Sequence, residues 1–384
     1  DPVAGKTRWR VDLGGAPVWV GYLADKVVAA SSLRLAAISI DLGTVEWRYD
    51  AARGGRPARG PDPFAAPAAA QAGGEVSDQG LHGFRIVEGR VFCRRGDREL
   101  LAFDGDSGLV DWSFAPSEGT INPRLWVGSR RIALQTLRPS IAYVLETTSG
   151  RILARKQRSE DEEWARDPFP IDEDRLAIVS DRRTVAMFNL DDGSDAWVFR
   201  ESDELPRHGP PRFFGDAGRL LLMHDAHALI RLDANSGRKL WTRSLLVNAL
   251  DVEDLSERPD AVAVDDRRVY WTCGRTLNAA TLEHGKLAWS EPLFGPSAGW
   301  SVALARNCVA AYPGAEIPGE SEARLAPIVF REREDGRLAQ RLIFPDAAAE
   351  LTVRFTPNAA LVATRSHVWG LAPRAALDPP AAAP

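Results

Sequence analysis

The sequence predicts an all-β fold assembled from repeated four-stranded sheets, and three observations predict it. One short phrase recurs eight times along 384 residues, its copies are spaced as one small sheet apiece, and no long amphipathic helical pattern separates them. The phrase is an apolar pair, a turn rich in Asp, Asn, Ser or Thr, a Gly, and a Trp four residues after that Gly. Its clearest copies run from Leu101 to Trp112 and from Leu229 to Trp241. Ile38 to Trp47, Met187 to Trp197 and Ala280 to Trp289 repeat it, and Gly5 to Trp9 opens the chain. Two copies keep the turn and lose the aromatic: Gly150 is followed by Ala154, and Gly336 by Gln340.

Each copy reads as the same local structure. A strand ends at Asp or Asn, whose side chain folds back onto the backbone, and the Gly supplies a positive φ that closes the hairpin. The next strand begins at once, and its Trp brings a large apolar surface to sandwich between neighbouring sheets. Successive glycines, from Gly5 through Gly43, Gly108, Gly150, Gly193, Gly237, Gly285 and Gly336, lie 38, 65, 42, 43, 44, 48 and 51 residues apart. Most of these intervals match one four-stranded propeller blade. Between the phrases sit further strand signals at residues 85–92, 175–180, 219–223 and 267–271. Residues 361–371 read as two strands without a following Gly, and the N-terminal stretch Lys6 to Leu13 can supply the missing strand. Pairing the two ends in one sheet hides the edges that an open array exposes. The expectation is therefore one closed β-propeller of eight four-stranded blades over residues 1–372, with seven blades if the terminal fragments do not share a sheet.

Two stretches depart from the pattern. Residues 51–80 lengthen one interval with a run rich in Ala, Pro and Gly, expected to be an inserted loop: a flexible surface excursion, or else a segment that orders against a partner with Phe64 as its anchor. Residues 373–384 form an Ala- and Pro-rich tail, read as a linker or a strap.

Composition narrows the function. With 45% hydrophobic and 26% charged residues the chain can build a core without staples or metals. A net charge of -5 without a basic run argues against a nucleic-acid surface. No apolar stretch reaches the roughly 18 residues of a membrane span. Cys93, Cys273 and Cys308 stand far apart and form no CxxC pair, which removes the usual zinc and thioredoxin-like readings. His224 and His227 lie three apart on one predicted strand, hence on opposite faces. Asp104 to Gly108 and Asp191 to Gly193 resemble calcium loops but lack the closing Glu, so they read as turns. No Ser or Cys sits in a nucleophile motif.

The repeated phrase resembles the Trp docking motif of the quinoprotein alcohol dehydrogenase-like superfamily, whose propeller repeats take their name from pyrroloquinoline quinone. The resemblance covers nearly the whole chain. It implies that Trp9, Trp47, Trp112, Trp197, Trp241 and Trp289 are structural docking residues, together with Gly43, Gly108, Gly150, Gly193, Gly237, Gly285 and Gly336. The enzymes of the superfamily add a vicinal disulfide, a calcium held by Glu and Asn, and a catalytic Asp, and no local motif here matches those features. In length the chain is similar to the short eight-bladed members, which include a scaffold lipoprotein of outer-membrane protein assembly. No catalytic, cofactor-binding or metal residues are nominated. Phe64, Phe294 and Trp300 are candidate partner contacts, with a core role as the other reading of Trp300.

The expected function is thus a non-catalytic scaffold or protein-interaction subunit of a bacterial envelope or surface assembly, without a cofactor, partnered by other protein subunits. The start at Asp1-Pro2 fits a chain whose leader has been removed, which puts it in the periplasm or at the cell surface, with the cytoplasm as the other location. A quinone-dependent oxidoreductase and a sensor propeller binding a small ligand are the alternatives.

Overall fold

The computed structural model describes residues 10–11, 18–53, 80–159, 162–180, 184–200, 212–214, 220–224, 228–244, 262–273, 275–293, 300–305, 307–313, 326–344, 352–355, 360–363 and 368–371. The chain divides into two compact units, residues 1–198 and 199–384. Both are built from antiparallel sheets whose strands follow one another in sequence.

In the first unit, the first sheet runs β1 (Trp19–Leu23), β2 (Lys26–Ala30), β3 (Arg34–Ser39) and β4 (Val45–Asp50). The second runs β5 (Leu81–Val87), β6 (Arg90–Arg95), β7 (Glu99–Asp104) and β8 (Val110–Phe114). In the third, two short strands, β9 (Thr120–Ile121) and β10 (Trp126–Val127), share the edge of β11 (Arg131–Leu137), followed by β12 (Ile141–Glu146) and β13 (Ile152–Gln157). The fourth is β14 (Phe169–Pro170), β15 (Arg175–Val179), β16 (Thr184–Asn189) and β17 (Asp195–Arg200).

The second unit continues the pattern. Its sheets are β18 (Arg212–Phe214) to β21 (Lys239–Ser244) through β19 (Leu220–His224) and β20 (Ala228–Leu232), then β22 (Val262–Val264) to β25 (Leu287–Pro292) through β23 (Arg268–Cys273) and β24 (Thr276–Thr281). A further four-stranded sheet joins β26 (Trp300–Leu304), β27 (Cys308–Pro313), β28 (Ala326–Glu332) and β29 (Leu338–Phe344). The eighth sheet shows three strands among the described residues, β30 (Thr352–Phe355), β31 (Ala360–Ala363) and β32 (Val368–Leu371).

Burial follows strand position. The two middle strands of the second sheet are buried from end to end except at their tips, and β15, β16, β23 and β24 behave alike. A strand buried on both faces loses the polar alternation of a half-exposed one, and these strands read Val-Phe-Cys, Leu-Leu-Ala-Phe and Val-Ala-Met-Phe accordingly. The core is divided into clusters that each straddle consecutive sheets. Leu35, Trp47 and Tyr49 of the first sheet pack with Val91, Cys93 and Phe103 of the second. Phe92 and Phe114 pack with Ile132, Leu134 and Tyr143 of the third, and Tyr270, Leu277 and Trp289 with Trp300, Val309 and Val329 across the sixth and seventh.

Residues 85–92, a single strand signal in the sequence, are parts of two strands. Glu88 and Gly89 both take positive φ and turn β5 back into β6, the two-residue hairpin geometry whose twist suits antiparallel strands. The inserted stretch opens with a short 3-10 turn at Ala51–Arg53, and the rest of it, with the tail and the chain's first nine residues, lies outside the described residues.

Candidate functional site

The recurring turns are one structure repeated. At Gly43, Gly108, Gly150, Gly193, Gly237, Gly285 and Gly336 the Gly amide donates to the carbonyl four residues earlier, and φ lies between 65° and 75°. The residue that accepts this bond donates its own amide to the carbonyl just after the Gly, as Asp104 does to Leu109 and Asp233 to Arg238. Polar side chains finish the turn: Asp104 Oδ1 accepts from the Ser107 amide at 2.7 Å and hydroxyl at 2.6 Å, and Asp233 Oδ1 accepts from both donors of Ser236 at 2.8 Å. The hydroxyl bond, with the amide second, holds both carboxyls below the usual carboxylate range. These acidic turns close on themselves.

Immediately after six of these seven turns the ladder slips by one residue. The register shifts between Ala37 and Ile38, Ala102 and Phe103, Val144 and Leu145, Arg231 and Leu232, Ala279 and Ala280, and Phe330 and Arg331. A bulge of this kind bends and twists the strand. In four copies that keep their Trp, the indole follows the bulge directly: Trp47 pairs Ala37, Trp112 pairs Ala102, Trp241 pairs Arg231 and Trp289 pairs Ala279.

Those four indoles reach the next sheet. Trp47 Nε1 donates to Gly105 at 2.8 Å, Trp112 to Thr147 at 3.1 Å, Trp241 to Leu282 at 3.0 Å and Trp289 to Arg333 at 3.1 Å. Every acceptor is the carbonyl three residues before the Gly of the following turn. The indole also covers that Gly: a Cβ added at Gly108, Gly150, Gly285 or Gly336 would come within 2.4 to 2.7 Å of Trp47, Trp112, Trp241 or Trp289. Glycine is thus required twice at one position, for its φ and for the ring lying on it. Trp197 and Gly237 occupy the same positions of the phrase, each in its own unit. Gly43 heads the first described turn, and Trp9 lies outside the described residues.

Charged residues that the repeat phrase does not contain also span these joints. Lys26, nearly buried, reaches from the first sheet to Asp106 of the second at 2.7 Å, with Glu46 at 3.5 Å. Its pKa is raised, chiefly by the bond to Asp106. Arg243, two residues after Trp241, donates to the Gly285 carbonyl at 2.9 Å, and Arg331 of the seventh sheet bonds Glu291 and the Pro292 carbonyl of the sixth. No sequence signal marks them, because each partner lies some 40 or more residues away along the chain.

Of the candidate partner contacts, Trp300 is corrected by its surroundings. It is 1% exposed and sits in the cluster of Tyr270, Trp289 and Val309, so it is a core side chain rather than a surface anchor. Phe64 and Phe294 lie outside the described residues. Cys93 and Cys308 are free thiols, and burial pushes both up in pKa, away from the reactive thiolate. Among the described residues, no group of three His, Cys, Asp or Glu stands close enough to hold a metal ion.

Successive four-stranded antiparallel sheets, joined by a Gly turn and the Trp of the sheet before, define a β-propeller repeat protein of the quinone-type repeat class. The sequence matches the family model described as outer membrane protein assembly factor BamB over residues 1–167 and again over 138–311, and the chain belongs to that family. No curated protein sequence matches it. Among solved structures it is similar to BamB from Moraxella catarrhalis, at 12% identity and a TM-score of 0.56, over 92% of this chain and 95% of that one. It is similar to the computationally designed Ika8 protein, at 12% identity and a TM-score of 0.57, over 93% and 96%. The quinohemoprotein alcohol dehydrogenase ADHIIG from Pseudomonas putida HK5 shares 11% identity at a TM-score of 0.52, over 89% of this chain and 68% of that one. At such identities the likeness is one of fold.

Proposed function

We propose that this chain is a non-catalytic scaffold subunit of a bacterial envelope assembly, working in the periplasm on the assembly of outer-membrane proteins. The match of the BamB family model to residues 1–311 carries this reading. Other protein subunits are its partners. In support, the indoles and turns join sheet to sheet; no helix among the described residues is long and apolar enough to cross a membrane. The six Trp and seven Gly positions of the phrase serve as docking points that hold the scaffold rigid. We also propose that the array closes as one eight-bladed domain, with Lys6 to Leu13 completing the three-stranded eighth sheet.

The likeness to a quinohemoprotein dehydrogenase favours a second reading, a quinone-dependent oxidoreductase. That reading requires carboxylates that hold a calcium beside a bound quinone. Deleting the chain from its source bacterium tests both readings. The scaffold predicts a loss of folded β-barrel proteins from the outer membrane. Unchanged barrel levels, with loss of a calcium- and quinone-dependent dye reduction, would establish the oxidoreductase instead.

A further inference from the structure

The joint between the third and fourth sheets is built differently from its neighbours. Its turn is intact, with Gly193 at φ 71° and its amide bonded to Asn189. The Trp position of the third sheet, however, is Ala154, and a Cβ at Gly193 would meet only Ala154, Lys156 and Phe188 at 3.6 Å or more. Among the described residues, no side chain donates to the Leu190 carbonyl, the place the indole bond takes in the other joints.

Charge takes over. Arg158, 2% exposed, grips Asp195 through both guanidinium nitrogens at 3.1 and 2.8 Å and lies over the Phe188 ring, with Glu162 at 3.6 Å. Arg131 pairs Asp174 at 2.6 Å and also Asp191, and Arg130 pairs Glu173. Lys156 and Asp192 add one more charge to each side. In each of these four crossing pairs the cation comes from the third sheet's side and the carboxylate from the fourth's. The inner part is held by apolar packing of Val144, Trp164, Ile178 and Phe188, and by Gln135, which accepts from the Trp164 amide at 2.7 Å. In the outer part, Leu190 of the turn from Asn189 to Ser194 and Ala154 of β13 join that apolar cluster, ion pairs cross the joint, and β13 is exposed along nearly its whole length.

We infer that the outer half of the third-to-fourth joint is a charge-held seam, which opens and closes with ionic strength while the indole-pinned joints stay shut. Exposed ion pairs are screened as salt rises, and separated charges are stabilised by it, whereas an indole packed on Gly responds to neither. Three of the four pairs are exposed on at least one partner, and the fourth releases two buried charges to solvent on opening.

Hydrogen exchange followed by mass spectrometry on the whole chain, at about 0.05 M and about 0.5 M sodium chloride, tests this. Amides of Ile152–Gln157 and of the 189–195 segment should exchange roughly five-fold faster at the higher salt, and those of the Trp47–Gly108 joint less than about two-fold faster. Ala154→Trp, which restores the indole, should remove most of the difference. The pair Arg158→Met with Asp195→Leu, which leaves no charge buried alone, should exchange with a salt response cut by about half or more. An equal salt response at both joints, no response at either, or a response untouched by both variants would overturn the seam.

Discussion

Gly108 and Gly193 carry the same turn under two different loads. Both hold φ near 70°, but Trp47 lies on the first and only Ala154, Lys156 and Phe188 neighbour the second. An added methyl at either costs about 1 kcal/mol for the left-handed conformation. At Gly108 it must also displace a buried indole, a further cost of about 2 kcal/mol. Gly108→Ala should therefore destabilise the first unit by about 3 kcal/mol and Gly193→Ala by about 1 kcal/mol, read from urea unfolding midpoints. Equal losses would mean that the ring contact contributes nothing. The turn carboxylates give a pH signature. Asp104 is held below its unfolded value by the Ser107 hydroxyl and then the amide, so its contribution is complete above about pH 4 and is lost as pH falls through the folded value. The stability gap between the protein and Ser107→Ala should narrow as pH drops from about 5 toward 2. Asp104 is half-exposed, so the effect is small, and a gap constant over that range would contradict the assignment.

The element that repeats is a turn, a bulge and an indole, and it works as a unit. Trp47 Nε1 satisfies the buried Gly105 carbonyl, so Trp47→Phe removes a donor while keeping most of the apolar surface. The expected loss is about 1 to 3 kcal/mol. Trp197→Phe serves as a comparison in the copy that ends the first unit. A thermal unfolding series over the Trp positions would show whether each copy carries a similar share. The turn and its Trp were legible in the chain, because Gly with a polar turn and Trp at a fixed offset are local signals that recur. The bulge was not, since a one-residue slip leaves no residue type behind it. Nor was Lys26 with Asp106, or Arg158 with Asp195: their partners lie 80 and 37 residues away, and nothing local marks an Arg as buried. For Trp300 the sequence offered both a core and a surface reading, and the core reading is the one its surroundings bear out.

Across the whole molecule, the described residues form eight sheets, the eighth with three strands. The spacing of the phrase made the four-stranded sheet legible, because most intervals have the length of one such sheet. Closure depends on residues 6–13, most of which lie outside the described ones. Removing residues 1–13 should lower the melting temperature by about 5 °C or more if they complete the last sheet, and by less than about 2 °C if the array ends open. The most direct measurement is gentle extraction of the protein from its native envelope, followed by size-exclusion chromatography with mass spectrometry. Co-elution with other envelope proteins in fixed ratio is the predicted result. A lone monomer carrying bound quinone and calcium would contradict the scaffold and make the chain an enzyme.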